Sequence, residues 1–143
     1  MLKVVLDTNV LVSSLLVKAG LPAQVVEAWR ERQYILVTSP DLIAEVRATL
    51  FYPRLRRKYA LSDEDLEQLI DLLKDDALVV PGQAQVTGAI PADPADERVL
   101  ACAVDAGADL IVSGDMHLLA LGDYQGISIL AVRGFLERLA EEG

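Results

Sequence analysis

Residues 94–115 read PADERVLACAVDAGADLIVSGD, and the order of signals in that stretch decides the fold. Pro94 opens a helix that runs to Ala106, and Gly107 is a normal C-terminal stop for it. The apolar triplet Leu110-Ile111-Val112 then reads as a strand and ends on Ser113-Gly114-Asp115. A strand without a polar face lies inside a sheet covered on both sides. Similar short apolar runs stand at Leu2–Leu6, Tyr34–Thr38, Ala77–Val80 and Ile127–Leu130. Amphipathic segments separate them. Pro22–Arg32 places Val25, Val26 and Trp29 on one face. Ser39-Pro40 supplies a cap and a first-turn proline. Ser62-Asp63-Glu64-Asp65 resembles a capping box ahead of Leu66, Leu69, Ile70 and Leu73. Strands that alternate with helices predict an α/β protein with a mostly parallel sheet and helices on both faces. The stretch from Pro81 to Pro91 reads as a loop within one domain spanning residues 1–143.

Composition narrows the function classes. A chain of 143 residues fits one domain, and 52% hydrophobic against 24% charged residues excludes a disordered chain. No uncharged apolar stretch reaches the length of a membrane span. Met1–Leu6 reads as a buried strand rather than a signal peptide, because Asp7 interrupts the apolar run, so a cytoplasmic protein is expected. The single Cys102 excludes an internal disulfide and a zinc site built on cysteine pairs, and it reads as a small buried hydrophobe. The single His117 excludes sites that need two histidines. A net charge of −9 argues against a protein that coats nucleic acid non-specifically, since that affinity comes from basic residues.

Sites in open parallel sheets form just outside the carboxyl ends of the strands. Asp7 directly follows the Leu2–Leu6 strand, and Asp115 follows Leu110–Val112. Asp93 and Asp96 open the helix that starts in Asp93-Pro94-Ala95-Asp96-Glu97. In the helix after Pro40, the residues Leu42, Ile43, Val46 and Leu50 form an apolar arc, and Glu45 flanks it where it can reach a cleft. Each acid alone has an ordinary explanation. Asp7 and Asp115 can cap helices at Asn9–Leu16 and Met116–Leu121, Asp93 and Asp96 can serve a helix dipole, and Glu45 can be a solvated flank residue. Together on one sheet edge, carboxylates raise one another's pKa unless a cation neutralises them. An oxygen-only set favours Mg²⁺ or Mn²⁺ over zinc.

At these positions the chain resembles the PIN domain family, and within it the small prokaryotic proteins described as toxins of toxin–antitoxin pairs. The resemblance rests on Val4-Val5-Leu6-Asp7-Thr8-Asn9-Val10-Leu11-Val12, on Glu45 after Thr38-Ser39-Pro40, on Asp93-Pro94-Ala95-Asp96-Glu97-Arg98-Val99-Leu100 and on Ala106 through Asp115. Gly126-Ile127 and Gly134-Phe135-Leu136 resemble the family's closing strand and helix, so the match covers nearly the whole chain. It implies a three-layer α/β/α fold with a mainly parallel five-stranded sheet. It also implies a Mg²⁺- or Mn²⁺-dependent ribonuclease acting on single-stranded RNA, with Asp7, Glu45, Asp96 and Asp115 as catalytic and metal-binding residues. Thr8, Asn9, Asp93 and Ser113 would support them, with turn and capping roles as the alternative. A homodimer and a cognate antitoxin are the partners the resemblance implies. Two positions depart from the pattern: Glu97 stands where relatives often carry another Asp or Asn, and His117 follows Asp115 in place of an Asp or Lys-type residue. His117 reads as a surface residue.

The basic run Arg54, Arg56, Arg57 and Lys58, set between Phe51-Tyr52 and Tyr59, is the best candidate for RNA contact, since aromatics beside cations suit stacked bases. The ordinary reading is a solvated loop between two helices. Two other functions compete with the nuclease. An inactive PIN-like scaffold would keep its acids for capping. A Mg²⁺-dependent phosphatase of the haloacid dehalogenase type would need a second Asp two residues after the first, where this chain has Asn9.

Overall fold

The computed structural model describes residues 1–86 and 94–142. Six strands, β1 (Lys3–Leu6), β2 (Ile35–Thr38), β3 (Leu78–Val79), β4 (Leu110–Val112), β5 (Asp123–Tyr124) and β6 (Ile127–Leu130), form one sheet in the order β3-β2-β1-β4-β6-β5. All pairs are parallel except β5 with β6. The helices are α1 (Thr8–Leu16), α2 (Leu21–Arg30), α3 (Pro40–Leu50), α4 (Pro53–Tyr59), α5 (Asp63–Asp76), α6 (Pro94–Ala106), α7 (Met116–Leu121) and α8 (Val132–Glu142).

The central strands bury both faces. Val4, Leu6, Leu36, Leu110 and Val112 point into one core with Val25, Trp29, Val46, Leu50, Ile70 and Phe135. Val5, Val37, Ile111, Ile127 and Ile129 point into a second core with Leu100, Cys102 and Leu118. Successive strand residues face opposite sides, so one short run such as Leu110-Ile111-Val112 feeds both layers. Helices α1, α2, α3, α5 and α8 cover the first face, and α6 and α7 the second. Burial pushes the Cys102 thiol up to about 12, which fits an inert core residue.

Helix starts follow the expected chemistry. Ser39 Oγ accepts from the Leu42 amide at 3.3 Å, and Ser62 Oγ accepts from the Asp65 amide at 3.1 Å. Each hydroxyl satisfies a donor that the first helical turn leaves open.

Several expectations need correction. The sheet has six strands, because Asp123-Tyr124 adds an antiparallel edge to β6. Its turn is Gln125-Gly126, both with positive φ (52° and 85°), the conformation that closes a two-residue hairpin. The run Ala77–Val80 is not a doubly buried strand. Only Leu78-Val79 pairs, with β2 alone, and at the sheet edge these residues are 41% and 40% exposed. Residues 53–59 form a helix rather than a loop, opened by Pro53 at its first turn and closed by Ala60 in the left-handed region. Asp93 lies outside the described residues. Among those described, no single helix is long and apolar enough to cross a membrane.

Candidate active site

The chain runs from β1 outward to β2 and β3, then returns to lay β4 on the other side of β1. The direction of winding therefore switches between β1 and β4, and a crevice opens at the carboxyl ends of two such strands. Register decides what stands there. Leu6 pairs with Val112, so Asp7 and Ser113 follow side by side, 106 residues apart in sequence. The Asp7 amide donates to the Val112 carbonyl and the Ser113 amide to the Leu130 carbonyl, both at 3.0 Å.

Ser113 is fully buried and works in both directions. Its hydroxyl donates to Asp7 Oδ2 at 2.7 Å and accepts from the Asp115 amide at 2.9 Å. Asp7 precedes α1, yet its carboxylate makes no capping bond to that helix. The acid is 6% exposed, and its Oδ2 takes the bond from the neighbouring strand end, at Ser113, instead. Burial raises its pKa. The Ser113 hydroxyl and the Thr8 amide oppose that rise, and the charges of Asp115 and Glu45 add to it. Asp7, at the end of β1, thus feels the charge of an acid on α3 and of another beyond β4.

Asp115 has an ordinary role as well. Its Oδ2 accepts from the Leu118 amide at 3.0 Å and caps α7. Burial pushes its pKa up, but the Leu118 amide, the Asp96 side chain and His117 outweigh burial and leave the carboxyl below its usual range. Asp96, on the first turn of α6, is buried and within hydrogen-bonding reach of Asp115. Two carboxyls share such a position only with a proton or a cation between them. Glu45 projects from the middle of α3. Its Oε2 accepts from Thr8 Oγ1 at 3.0 Å, and its Oε1 accepts from Arg98 on α6.

The structure thus places Asp7, Glu45, Asp96 and Asp115 in one electrostatic and hydrogen-bonded network, with Thr8 and Ser113 inside it. Asn9 is exposed and joins it through no side-chain bond among the described residues, and His117 is exposed beside Asp115. The basic residues of α4 stand apart. That helix follows the far end of α3, and Leu50 lies about 7–8 Å of helix rise beyond Glu45. Arg56 pairs with Asp63 and sits over the Phe51 ring at 5.4 Å, while Arg54, Arg57 and Lys58 are at the surface of α4. Sequence reasoning missed Arg98. It lies inside the quoted Asp93–Leu100 motif, but only the packing of α6 beside α3 brings it to Glu45.

The donor set suits a hard divalent cation. It is all oxygen, and its acids disturb one another. Glu97 Oε2, on the residue after Asp96, is buried with no hydrogen-bond partner among the described residues. Yet no three His, Cys, Asp or Glu side chains among the described residues are already gathered as a metal cage. Within the site, Asp7 Oδ2 is engaged by Ser113, Asp115 Oδ2 by Leu118, and both Glu45 oxygens by Thr8 and Arg98.

Comparison with known proteins bears on the family and the fold. The family model of the PIN domain matches residues 3–117. Uncharacterized protein MJ1680 of Methanocaldococcus jannaschii is 25% identical over 122 residues, which cover 85% of this chain and 76% of that protein. The crystal structure of PAE2754 from Pyrobaculum aerophilum superposes with a TM-score of 0.67 at 17% identity, covering 98% of this chain and 90% of that one. At that identity the likeness speaks for the fold.

Proposed function

The chain belongs to the PIN domain family, a nuclease-type fold whose members generally cleave nucleic acid and typically use divalent metals, and from that premise we propose that it is a Mg²⁺- or Mn²⁺-dependent endoribonuclease of single-stranded RNA. One observation carries the reading. Asp7 is a buried acid at the switch point that caps no helix and is burdened by two other acids. A scaffold gains nothing from such an arrangement, since burying an anion among anions costs stability.

The roles follow from the bonds. Asp7 and Asp96 would hold the ion, with Asp115 and Glu45 completing the ligand set. A bound divalent ion supplies Lewis acidity toward the phosphodiester and its attacking water. Ser113 fixes the Asp7 carboxylate and spaces it from the Asp115 turn. Thr8 aims Glu45 through Oε2. Without a cation this edge would repel a phosphate, so the acids also make substrate binding conditional on the metal.

The test is cleavage of a labelled single-stranded RNA with Mn²⁺, with Mg²⁺ and with EDTA, beside a small phosphomonoester. RNA cleavage that EDTA stops supports the nuclease. Cleavage of the monoester alone would point to a phosphatase, and inertness toward both to a scaffold.

Helix α4 would extend the substrate path. Arg54 and Arg57, three apart, share an exposed helix face. Arg54→Gln with Arg57→Gln is expected to weaken RNA binding and to lower the slope of log affinity on log salt by about 0.7 for each phosphate that is no longer neutralised. Binding isotherms at several salt concentrations measure this, and an unchanged slope would leave Arg57, in the last turn, to balancing the helix dipole and Arg54 to a solvated surface. The toxin role, the homodimer, the antitoxin partner and the cytoplasmic site are proposals carried by the resemblance. Growth arrest on expression, relieved by the product of an adjacent gene, would support the first.

A further inference from the structure

Glu45 is a candidate ligand that carries its own counter-ion. Arg98 reaches from α6 to α3 and donates to Glu45 Oε1, while Thr8 Oγ1 holds Oε2 at 3.0 Å. Both oxygens of the acid are therefore committed. Glu45 is largely covered, its side chain 23% exposed, whereas the Arg98 side chain is 50% exposed. The cation thus sits at the mouth of the site with solvent on one side.

We propose that Arg98 is a displaceable internal cation: it competes with the divalent ion for Glu45 and, once displaced, takes a phosphate oxygen of the substrate. The inference rests on the metal-dependent nuclease reading above. Three features support it. First, the guanidinium holds Glu45 Oε1, so a metal that takes that oxygen must compete with it. Second, ion pairs with a half-exposed partner are weak, so displacement costs little. Third, Arg98 reaches across from α6 to Glu45 on α3, so its head already stands beside one of the proposed ligands. A guanidinium is a planar fork matched to phosphate, and it stays charged at any working pH. Metal binding and substrate binding would then be coupled through one side chain.

The experiment compares wild type, Arg98→Gln and Arg98→Lys by calorimetry. Mn²⁺ is titrated without RNA. A cleavage-resistant 2′-O-methyl RNA oligonucleotide is then titrated with Mn²⁺ present. Circular dichroism checks the fold of each variant. Arg98→Gln is expected to bind Mn²⁺ roughly threefold to fivefold more tightly, the range that an ion pair of this exposure can oppose. The same variant should bind the oligonucleotide more weakly. Arg98→Lys, which keeps the charge and loses the fork, should bind Mn²⁺ like wild type and RNA more weakly. Mn²⁺ affinity that is unchanged or reduced in Arg98→Gln, with wild type binding normally, overturns this inference and leaves the nuclease reading standing. Tighter Mn²⁺ binding without weaker RNA binding overturns the transfer to phosphate. Failure of every protein to bind Mn²⁺, even with the oligonucleotide, removes the metal-dependent reading itself and this inference with it.

Discussion

Asp7→Asn is expected to lower metal-dependent RNA cleavage by roughly 10²–10³-fold, because losing a charged ligand removes several kcal/mol of transition-state stabilisation at about 1.4 kcal/mol per factor of ten. The change is nearly isosteric, so Ser113 keeps an oxygen to donate to, and the β1–β4 register has no cause to shift. Single-turnover cleavage at saturating Mn²⁺ separates this from a loss of affinity. Activity within about threefold of wild type would remove Asp7 from the proposed mechanism.

The same substitution is expected to leave the metal-free protein as stable as wild type, or more so, at neutral pH. Burial raises the Asp7 pKa in the fold above the ordinary 3.8. A group whose folded pKa is raised binds its proton more firmly in the native state, so stability falls as pH rises from the ordinary value through the folded one. Above the ordinary value the wild type carries that cost, and the variant has none of it. Urea denaturation in EDTA, across about pH 4 to 8, gives the difference between the two proteins, in which most other titrating groups cancel. A difference that stays flat with pH would show that Asp7 is not a destabilised anion. Added Mn²⁺ should reverse the order, since a ligand that binds only the native wild type stabilises it by mass action.

Much of this site was legible in the sequence because it depends on strand ends. Asp7 and Asp115 each follow a short apolar run, and the rule for parallel sheets carries such residues to the same edge. Glu45 followed from helical spacing. Ser113 stood out only as part of a turn, because its bridging role depends on the pairing of Leu6 with Val112, which no local pattern encodes. Arg98 was illegible for the same reason: its partner lies 53 residues away, and the contact exists only because α6 packs beside α3. Strand β5 escaped because two residues, one of them Asp, carry no periodicity. The run at Ala77–Val80 looked like core because apolar residues signal burial, while edge position is a property of the sheet order. Helix α4 was obscured by its charge, since Arg and Lys are good helix formers that also suit a solvated loop.

Phe135→Ala is expected to cost about 3–5 kcal/mol, a large share of the roughly 5–15 kcal/mol that holds a domain together. Phe135 is fully buried in the first core, where α8 folds back over the sheet beside α2. Its ring meets the Tyr34 ring edge to face, with centroids 5.1 Å apart and planes at 86°. Tyr34 cannot follow a receding neighbour without giving up the bond its hydroxyl donates to the Val25 carbonyl at 2.7 Å. Its carbonyl partner is on α2 and its own backbone leads into β2, so both sides of the gap are anchored. A cavity whose walls cannot close retains most of its cost, which places this site at the upper end of the range. Phe135→Leu keeps most of the volume and is expected to lose only about 1–1.5 kcal/mol. Urea midpoints for both variants measure the gap between them. If Phe135→Ala loses less than about 1.5 kcal/mol, the first core relaxes around α8, and the anchoring of Tyr34 is weaker than its bond to Val25 indicates.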